Sequence, residues 1–248
     1  MKGKIIYTKY SDERKKEYAV QTTIVITEFG KIVKKKAIFS EGKSHIKRMA
    51  ENCQILTAIY GKEHVAQCLD YSDEEVCMEY VEGELLSKVL ERFLTRHEYD
   101  DYEYMLGRYI AFLKKSCIDD KSEYVFEEND LLSTDRLSNI DMIFDNIILR
   151  DNEFVIIDYE WLVPKIDYKI VLYRVLSLFY LRAKNRQDIK RMNEKYELFK
   201  RGDYEKINEK FVADVMDEIL SKYKKEVWQP SIVNSLELQK LKEIVGQL

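Results

Sequence analysis

The sequence predicts an α+β fold, with a small β-rich region at the N terminus and a larger, mostly helical region after it. The first 40 residues are rich in β-branched and aromatic side chains between charged turns, which is typical of short strands. From residue 84 onward, most apolar residues recur at helical spacing. The chain of 248 residues contains only 8 Gly and 2 Pro, so we expect long regular elements and few elaborate loops.

The N-terminal region divides into predicted strands around one helix. Three strands cover residues 5–10, 18–26 and 32–38, and polar turns separate them. A helix follows, for which Ser40 is the predicted N-cap. Its apolar residues recur at helical spacing and are Ile46, Met49, Ala50, Cys53 and Leu56. Two shorter strands follow the helix, at residues 64–71 and 76–80.

Three consecutive lysines lie in the third predicted strand. Because side chains alternate along a strand, Lys34 and Lys36 share one face, and Lys35 shares the other with the apolar Val33 and Ala37. The apolar face is expected to face inward. Lys35 is therefore the predicted inward-facing lysine, with Lys36 as the second choice. The alternative is a solvent-exposed edge with three equivalent lysines.

The rest of the chain is predicted to be mostly helical. Residues 84–117 form two amphipathic runs, and Asp100 suits the start of the second. Residues 118–138 are polar and predict an irregular connector. Residues 170–181 are apolar on nearly all sides, which predicts a buried helix whose Arg174 needs a carboxylate partner. Charged amphipathic helices are predicted at residues 184–200 and 203–225, and a last short helix at residues 237–248.

Charge, cysteine content and hydropathy exclude several kinds of protein. A net charge of −4 provides no general attraction to nucleic acid or to an anionic membrane. The cysteines have no Cys-x-x-Cys spacing and lie among apolar neighbours, which indicates free thiols in a reducing cytoplasm. No apolar run reaches about 18 residues, and no signal-peptide pattern follows Met1, so we expect neither a membrane span nor export.

Oxygen-bearing side chains are concentrated in residues 139–161. Two runs rich in β-branched residues flank the polar cluster 150–153, which predicts a tight hairpin. Asp141 and Asn146 precede the first strand and Asp158 follows the second, so the hairpin carries all three to one end. Carboxylate and amide oxygens suit Mg²⁺ beside a hydroxyl group that loses its proton. An ordinary hairpin with polar ends is the alternative.

The order of these residues resembles the catalytic and metal loops of the protein-kinase-like phosphotransferases. The two motifs are Asp141-Met-Ile-Phe-Asp-Asn146 and Asp158-Tyr159-Glu160. The chain is most similar to small-molecule and sugar kinases such as the aminoglycoside phosphotransferases, and to kinase domains associated with bacterial cell-surface polysaccharide enzymes. The resemblance implies a bilobal kinase-like fold. It also implies that Asp141 is the catalytic base and that Asn146 and Asp158 are metal ligands.

The resemblance further implies a nucleotide site in the N-terminal lobe. Lys35 would contact the phosphates of ATP. Glu41, at the start of the predicted helix, would pair with this lysine, and Glu51 is the alternative partner. The segment around Glu79 resembles the hinge between lobes, where an exposed backbone edge binds adenine. The Glu79 carbonyl and the Val81 amide would make those contacts.

The same hinge divides the chain into two expected lobes. Residues 1–82 would form the sheet and helix that cover the nucleotide. Residues 83–248 would contain the catalytic loop, the metal loop and a helical tail. Few residues separate Asp158 from the helix predicted to begin near Asp167, which leaves little room for a peptide-docking loop. A small-molecule or glycan acceptor is therefore expected rather than a protein.

Three departures from the family pattern support a different function. The first hairpin has no glycine at its tip, which leaves Ser11, Arg14 or Lys15 to contact phosphates. Asn139 occupies the position of the usual His, and Glu160 that of the usual Gly. These changes favour a catalytically silent kinase-like module that binds nucleotide or a partner protein.

Retention of Asp141, Asn146 and Asp158 together favours an enzyme instead. The sequence thus predicts an ATP- and Mg-dependent phosphotransferase that acts on a hydroxyl group of a small molecule or a cell-surface glycan. The second resemblance implies a place in polysaccharide biosynthesis.

Overall fold

The computed structural model describes residues 3–11, 14–117, 137–164 and 167–198. It confirms the α+β class and the bilobal arrangement, with an antiparallel sheet and one long helix first and a mainly helical region afterwards. The predicted helices at 203–225 and 237–248 lie outside the described residues, as does most of the predicted connector. No helix within the described ranges has both the length and the apolar character needed to cross a bilayer.

The N-terminal region is a five-stranded antiparallel sheet in the order β1-β2-β3-β5-β4. The helix α1 lies between β3 and β4 in sequence and contacts β3, β4 and β5. Gly30 has a φ of 117° in the tight turn between β2 and β3, a conformation that disfavours larger residues. The elements are β1 Lys4–Tyr10, β2 Val20–Thr27, β3 Gly30–Ala37, α1 Lys43–Tyr60, β4 Cys68–Tyr71 and β5 Glu75–Glu79.

The register of the sheet decides which lysine of β3 faces inward. Lys35 pairs with Thr22 of β2 and with Val76 of β5, and Val76 belongs to the main apolar core. Lys35 is only 5% exposed, whereas Lys34 is half-buried and Lys36 is exposed. The prediction that Lys35 faces inward is confirmed, because strand alternation operates as expected.

The helix α1 begins later than predicted. Ser40 starts a short 3₁₀ turn, and its hydroxyl donates to the Glu41 carboxylate at 3.0 Å. Gly42 is the N-cap of α1, so the prediction of Ser40 as N-cap is wrong. The buried face agrees with the predicted apolar spacing. It consists of His45, Ile46, Met49, Ala50, Asn52, Cys53, Leu56 and Tyr60.

The second region combines helices with two small sheets. The strands β6, β8 and β9 form one antiparallel sheet, and β7 pairs with β10. The helix α4 is buried along much of its length, as its apolar sequence predicts. All four cysteines are free thiols. The elements are β6 Glu84–Leu85, α2 Leu86–Arg96, α3 Tyr99–Leu113, β7 Leu137–Asn139, β8 Ile147–Arg150, β9 Glu153–Ile156, β10 Leu162–Pro164, α4 Tyr168–Arg182 and α5 Arg186–Lys195.

The hairpin of β8 and β9 is tight, as predicted. Its two turn residues, Asp151 and Asn152, have φ values of 50° and 65°. Left-handed conformations at both positions match the twist of the flanking strands, and Asp and Asn tolerate them well. Arg108 of α3 donates to the Asn152 side-chain oxygen at 2.8 Å, which attaches the turn to the helical region. The predicted site residues Asn146 and Asp158 lie at the opposite end of the hairpin.

Gly83 allows the segment between β5 and β6 to approach β8 closely. Its φ is 146°, and an added Cβ would lie 2.5 Å from both Ile148 Cγ2 and the Leu149 carbonyl oxygen. We expect Gly83→Ala to lower the free energy of unfolding by about 1–3 kcal/mol, because it strains the backbone and collides with β8.

Urea denaturation measures this effect, with Gly107→Ala as the matched control. Gly107 lies within α3, and a Cβ there meets nothing within 4 Å. The control should stabilise the protein by about 0.5–1 kcal/mol, since alanine is the better helix former. Equal stability changes in the two variants would contradict the close approach at Gly83.

Candidate active site

A buried ion cluster links the N-terminal sheet to the segment that follows β9. Lys35 Nζ lies 2.8 Å from Asp158 Oδ1 and 2.6 Å from Glu160 Oε1. Burial by itself lowers the pKa of Lys35, but the negative charges of Asp158 and Glu160 outweigh it and raise that pKa above its ordinary value. Lys35 is therefore a fixed positive charge that holds β3 against this segment.

Glu41 does not pair with Lys35, contrary to the expectation from the resemblance. It lies in the turn before α1, its side chain is 45% exposed, and Lys16 Nζ is 3.7 Å from its carboxylate. Glu51, the alternative, is exposed on the outer face of α1. The glutamate that pairs with Lys35 is instead Glu160, which is buried directly beside it.

Three basic side chains from separate parts of the chain contact the Glu160 carboxylate. Besides Lys35, Arg14 Nη1 lies 2.5 Å and His45 Nε2 lies 3.5 Å from Glu160 Oε2. Burial raises the pKa of Glu160, but Lys35, His45 and Arg14 together bring it well below its usual range. In the sequence, Glu160 stands out only as the replacement of a glycine. The signal available in the sequence was a carboxylate directly after the Asp158-Tyr159 pair, which follows the second strand of the predicted hairpin.

Two buried asparagines hold the backbone around Asp158. Asn52 of α1 donates to the Tyr159 carbonyl oxygen at 2.7 Å. Asn139 donates to the Asp158 carbonyl oxygen at 3.3 Å, and its own oxygen accepts from the Asp141 backbone N–H at 3.0 Å. Asn139 thus joins the two predicted loops from the position where the resemblance expects a histidine.

Asp141 and Asn146 form the other half of the cluster. The Asn146 amide nitrogen lies 3.0 Å from Asp141 Oδ2 and 3.0 Å from the Asp141 carbonyl oxygen. Arg174 Nη2 lies 3.3 Å from Asp141 Oδ1, so the carboxylate partner predicted for this half-buried arginine is found. The carboxylate of Asp141 is therefore held from both sides, by an amide and by a guanidinium group.

Negative charge is crowded around Asp158. Burial raises its pKa, Lys35 lowers it, and the nearby charges of Glu160 and Asp141 raise it again, with a net upward shift. The Asp158 side chain is 28% exposed, so part of it is accessible to solvent rather than enclosed in the core. Among the described residues Asp158 forms an ion pair with Lys35, while Asp141 and Glu160 add negative charge nearby, so a bound cation would relieve the repulsion at Asp158.

The oxygen donors fit a magnesium ion. Asn146 donates through its nitrogen, and no described hydrogen bond uses its side-chain oxygen. Asp158 likewise has one oxygen outside the described hydrogen bonds. Mg²⁺ commonly takes one or two protein oxygens and completes its shell with phosphates and water. This donor set differs from a dedicated metal cage, and the described residues contain no cluster of three or more His, Cys, Asp or Glu suited to one.

The predicted hinge lies between β5 and β6. Val81 is buried in a small apolar cluster with Ile148, and its backbone N–H takes part in none of the hydrogen bonds seen among the described residues. The Glu79 carboxylate accepts from Arg150 at 2.8 Å and from the Gln67 backbone N–H at 3.3 Å. The side chain of Glu79 therefore braces the hinge. Its backbone contact to a base stays a prediction.

Comparisons with known proteins find similarity to solved structures at low identity. No family model and no curated protein matches the chain. It is similar to the solved gentamicin complex of the aminoglycoside phosphotransferase APH(2'')-IIa, at 16% identity and a TM-score of 0.41, covering 87% of this chain and 91% of that one. A streptomycin–ATP ternary complex of APH(2'')-IIa has 12% identity and a TM-score of 0.36, covering 90% and 92%. Substrate and activity have to be inferred from the site itself.

Proposed function

We propose that this protein is an ATP- and Mg²⁺-dependent phosphotransferase whose acceptor is a hydroxyl group of a small molecule or glycan. One observation carries the proposal. Hydrogen bonds connect Lys35 of β3 with Asp158, Asp141 and Asn146. Lys35 lies 2.8 Å from Asp158, Asn139 links the Asp158 backbone to that of Asp141, and the Asn146 amide lies 3.0 Å from the Asp141 carboxylate. Phosphoryl transfer needs a cation for the phosphates, oxygen ligands for a metal and a base for the acceptor.

Each of these side chains has a distinct task in the proposed reaction. Lys35 binds the phosphates as a point charge. Asn146 and Asp158 supply oxygen ligands for Mg²⁺, which neutralises charge on the phosphates when bound. Asp141 accepts the proton of the acceptor hydroxyl, and its contacts with Asn146 and Arg174 orient the carboxylate. Positioning and charge neutralisation supply most of the catalysis in this class of reaction.

Glu160 and Arg14 compensate for the family features that the chain lacks. Glu160 performs the positioning task that the resemblance assigned to Glu41, because it holds Lys35 from the buried side. Arg14 reaches Glu160 from the connection between β1 and β2, which has no glycine. A bound triphosphate offers Arg14 a second anionic partner, so this arginine is a candidate for the phosphate contact that a glycine-rich tip makes elsewhere.

The hinge completes the proposed nucleotide site. The Val81 amide is the proposed donor to the base, with Ile148 as apolar surface beside it. The Glu79 carbonyl is the proposed acceptor. We also propose that the lobes divide at this hinge, after residue 82, which leaves the sheet and α1 in one lobe and Asp141 in the other.

Thermal unfolding with ATP and Mg²⁺ tests the proposal. We expect wild-type protein to be stabilised by ATP only when Mg²⁺ is present, by about 2.7 kcal/mol at a ligand concentration of 100 times Kd. Asp158→Ala should remove the Mg²⁺-dependent part. Asn146→Ala should remove less, since it supplies one oxygen of an amide rather than a charged ligand.

Asp70→Ala is the matched control for the loss of one acidic side chain. Asp70 lies on the exposed edge strand β4, outside the ion cluster. Its removal should leave the Mg²⁺-dependent stabilisation by ATP unchanged. The same Mg²⁺-dependent stabilisation in Asp158→Ala as in wild type would refute the metal assignment.

A silent nucleotide-binding module is the second candidate function. The observation in its favour is that Lys35 is already bound by two carboxylates, while the β1–β2 connection lacks glycine. Turnover separates the two candidates. An enzyme transfers phosphate to at least one member of a broad hydroxyl-acceptor panel, or hydrolyses ATP slowly. A silent module binds Mg²⁺·ATP and does neither.

A further inference from the structure

A cavity of about 180 Å³ lies beside the turn that joins Asp141 to Asn146. The N-terminal half of α2 and the C-terminal half of α4 form its other walls. Its floor is apolar and its rim is polar. The floor consists of the apolar lining residues Ile143, Phe144, Val175, Leu178 and Phe179, three of which are buried, and the rim includes the exposed or half-buried Lys88, Glu91, Asp145 and Arg182.

Two arginines of α4 relate the cavity to the proposed base. Arg174 contacts Asp141, and Arg182 contacts Asp145 on the same turn. The arginines are eight residues apart, or about 12 Å along a helix. Leu178 lies midway between them and lines the cavity. A group bound against Leu178 is therefore about one helical turn, or about 6 Å along α4, from the arginine that contacts Asp141.

The charges on the rim are already paired with each other. Asp145 binds Arg182 and accepts a hydrogen bond from the Ser87 hydroxyl at 2.5 Å. Lys88 Nζ lies 3.2 Å from the Glu91 carboxylate. A polycationic ligand would have to displace these basic partners from Asp145 and Glu91, whereas a neutral ligand would not. Paired charges still supply hydrogen-bond donors and acceptors, and these suit a neutral ligand with several hydroxyl groups.

The size of the cavity limits the ligand further. Pockets for drug-sized molecules measure about 300–1,000 Å³, so about 180 Å³ suits a single ring. An apolar floor below a polar rim matches a sugar-type ring, which has C–H faces and a hydroxyl edge. Neither the rim nor the volume suits a multi-ring polyamine.

We propose that this cavity binds one neutral, polyhydroxylated ring of the phosphoryl acceptor, a class that includes sugars and cyclic polyols. This inference rests on the proposed phosphotransferase function. In the reaction, the acceptor oxygen forms a bond to the γ-phosphorus of ATP, the bond from that phosphorus to the bridging oxygen of ADP breaks, and Asp141 takes the hydroxyl proton. The cavity selects the ring and Asp141 receives one of its hydroxyl groups.

Saturation-transfer NMR on the full chain with methyl glycosides and myo-inositol tests the assignment. Leu178→Trp fills the cavity, and we expect it to weaken binding of the best probe at least tenfold. Leu69→Trp adds the same side chain on the exposed face of β4 and should bind the probe as wild type does. Gentamicin serves as the polycationic competitor and should not displace the probe. Mg²⁺·ATP stabilisation should be the same in both variants.

A second variant covers the case in which Leu178→Trp does not fold. Arg182→Ala removes an exposed rim group and should weaken probe binding while the protein stays folded. The proposal is overturned if no glycoside or polyol binds wild type, if both cavity variants bind normally, or if gentamicin displaces the probe. Probe binding without any Mg²⁺·ATP binding would support the cavity and contradict the phosphotransferase function.

Discussion

Asp141→Asn is expected to retain Mg²⁺·ATP binding and to lose phosphoryl transfer by about 10²–10⁴-fold. General-base assistance has this magnitude, and asparagine is nearly isosteric with aspartate but cannot take a proton. The hydrogen bond from the Asn146 amide can persist through the remaining side-chain oxygen. Initial rates are measured with an acceptor from the hydroxyl-acceptor panel, or as slow ATP hydrolysis when no acceptor is added. ATP-dependent thermal stabilisation is measured alongside.

Asp151→Asn is the matched control for this substitution. Asp151 lies in the turn at the far end of the β8–β9 hairpin, at a φ of 50° that asparagine adopts easily. We expect unchanged stability and rate. An Asp141→Asn variant that turns over as fast as wild type would show that another group takes the proton. Loss of ATP binding in that variant would indicate that Asp141 belongs to the nucleotide site instead.

Glu160→Gln is expected to lower the free energy of unfolding by about 3 kcal/mol. The substitution removes a buried charge that holds Lys35 at 2.6 Å and Arg14 at 2.5 Å, and breaking a buried ion pair from one side typically costs about 3–5 kcal/mol. The glutamine oxygen can still accept a hydrogen bond from Lys35, which places the expected loss at the lower end of this range. We also expect KM for ATP to rise more than kcat falls, because Lys35 loses one of its two anchors.

Glu41→Gln is the matched control, since both residues were candidates to pair with Lys35. The Glu41 side chain is 45% exposed and its contact with Lys16 is 3.7 Å long, so stability should change by no more than about 0.5 kcal/mol. Urea denaturation and ATP kinetics would measure both variants. A larger effect from Glu41→Gln than from Glu160→Gln would contradict the pairing in the structure.

A double variant keeps this prediction testable if Glu160→Gln does not fold. Lys35→Met together with Glu160→Gln removes both members of the 2.6 Å ion pair. We expect it to be more stable than Glu160→Gln alone, because in the single variant Lys35 stays buried with one carboxylate partner, Asp158, in place of two. ATP binding should be lost in the double variant, since the phosphate-binding cation is gone. Recovery of stability without recovery of binding separates the structural role of the pair from its functional one.

Local pattern was sufficient for the class of fold and for much of the candidate site. Strand alternation alone placed Lys35 on the inner face of β3, and the register confirms it. The polar cluster 150–153 predicted the hairpin because Asp and Asn favour the left-handed conformations that tight turns need. The hairpin then brings Asp141 and Asn146 toward Asp158. Each of these features depends on neighbours a few residues away, which the sequence displays directly.

Only the tertiary structure decided which charges pair. Glu160 meets Lys35 across 125 positions and Arg14 across 146 positions of the chain, and no periodic pattern links residues so far apart. Glu41, the expected partner, is an acidic residue next to α1. It lies in the 3₁₀ turn before that helix, where its side chain is exposed. Asn139 likewise acquires its role only when two separate loops meet. Burial and pairing of charges are properties of the packed chain, because desolvation and contact arise only when distant segments come together.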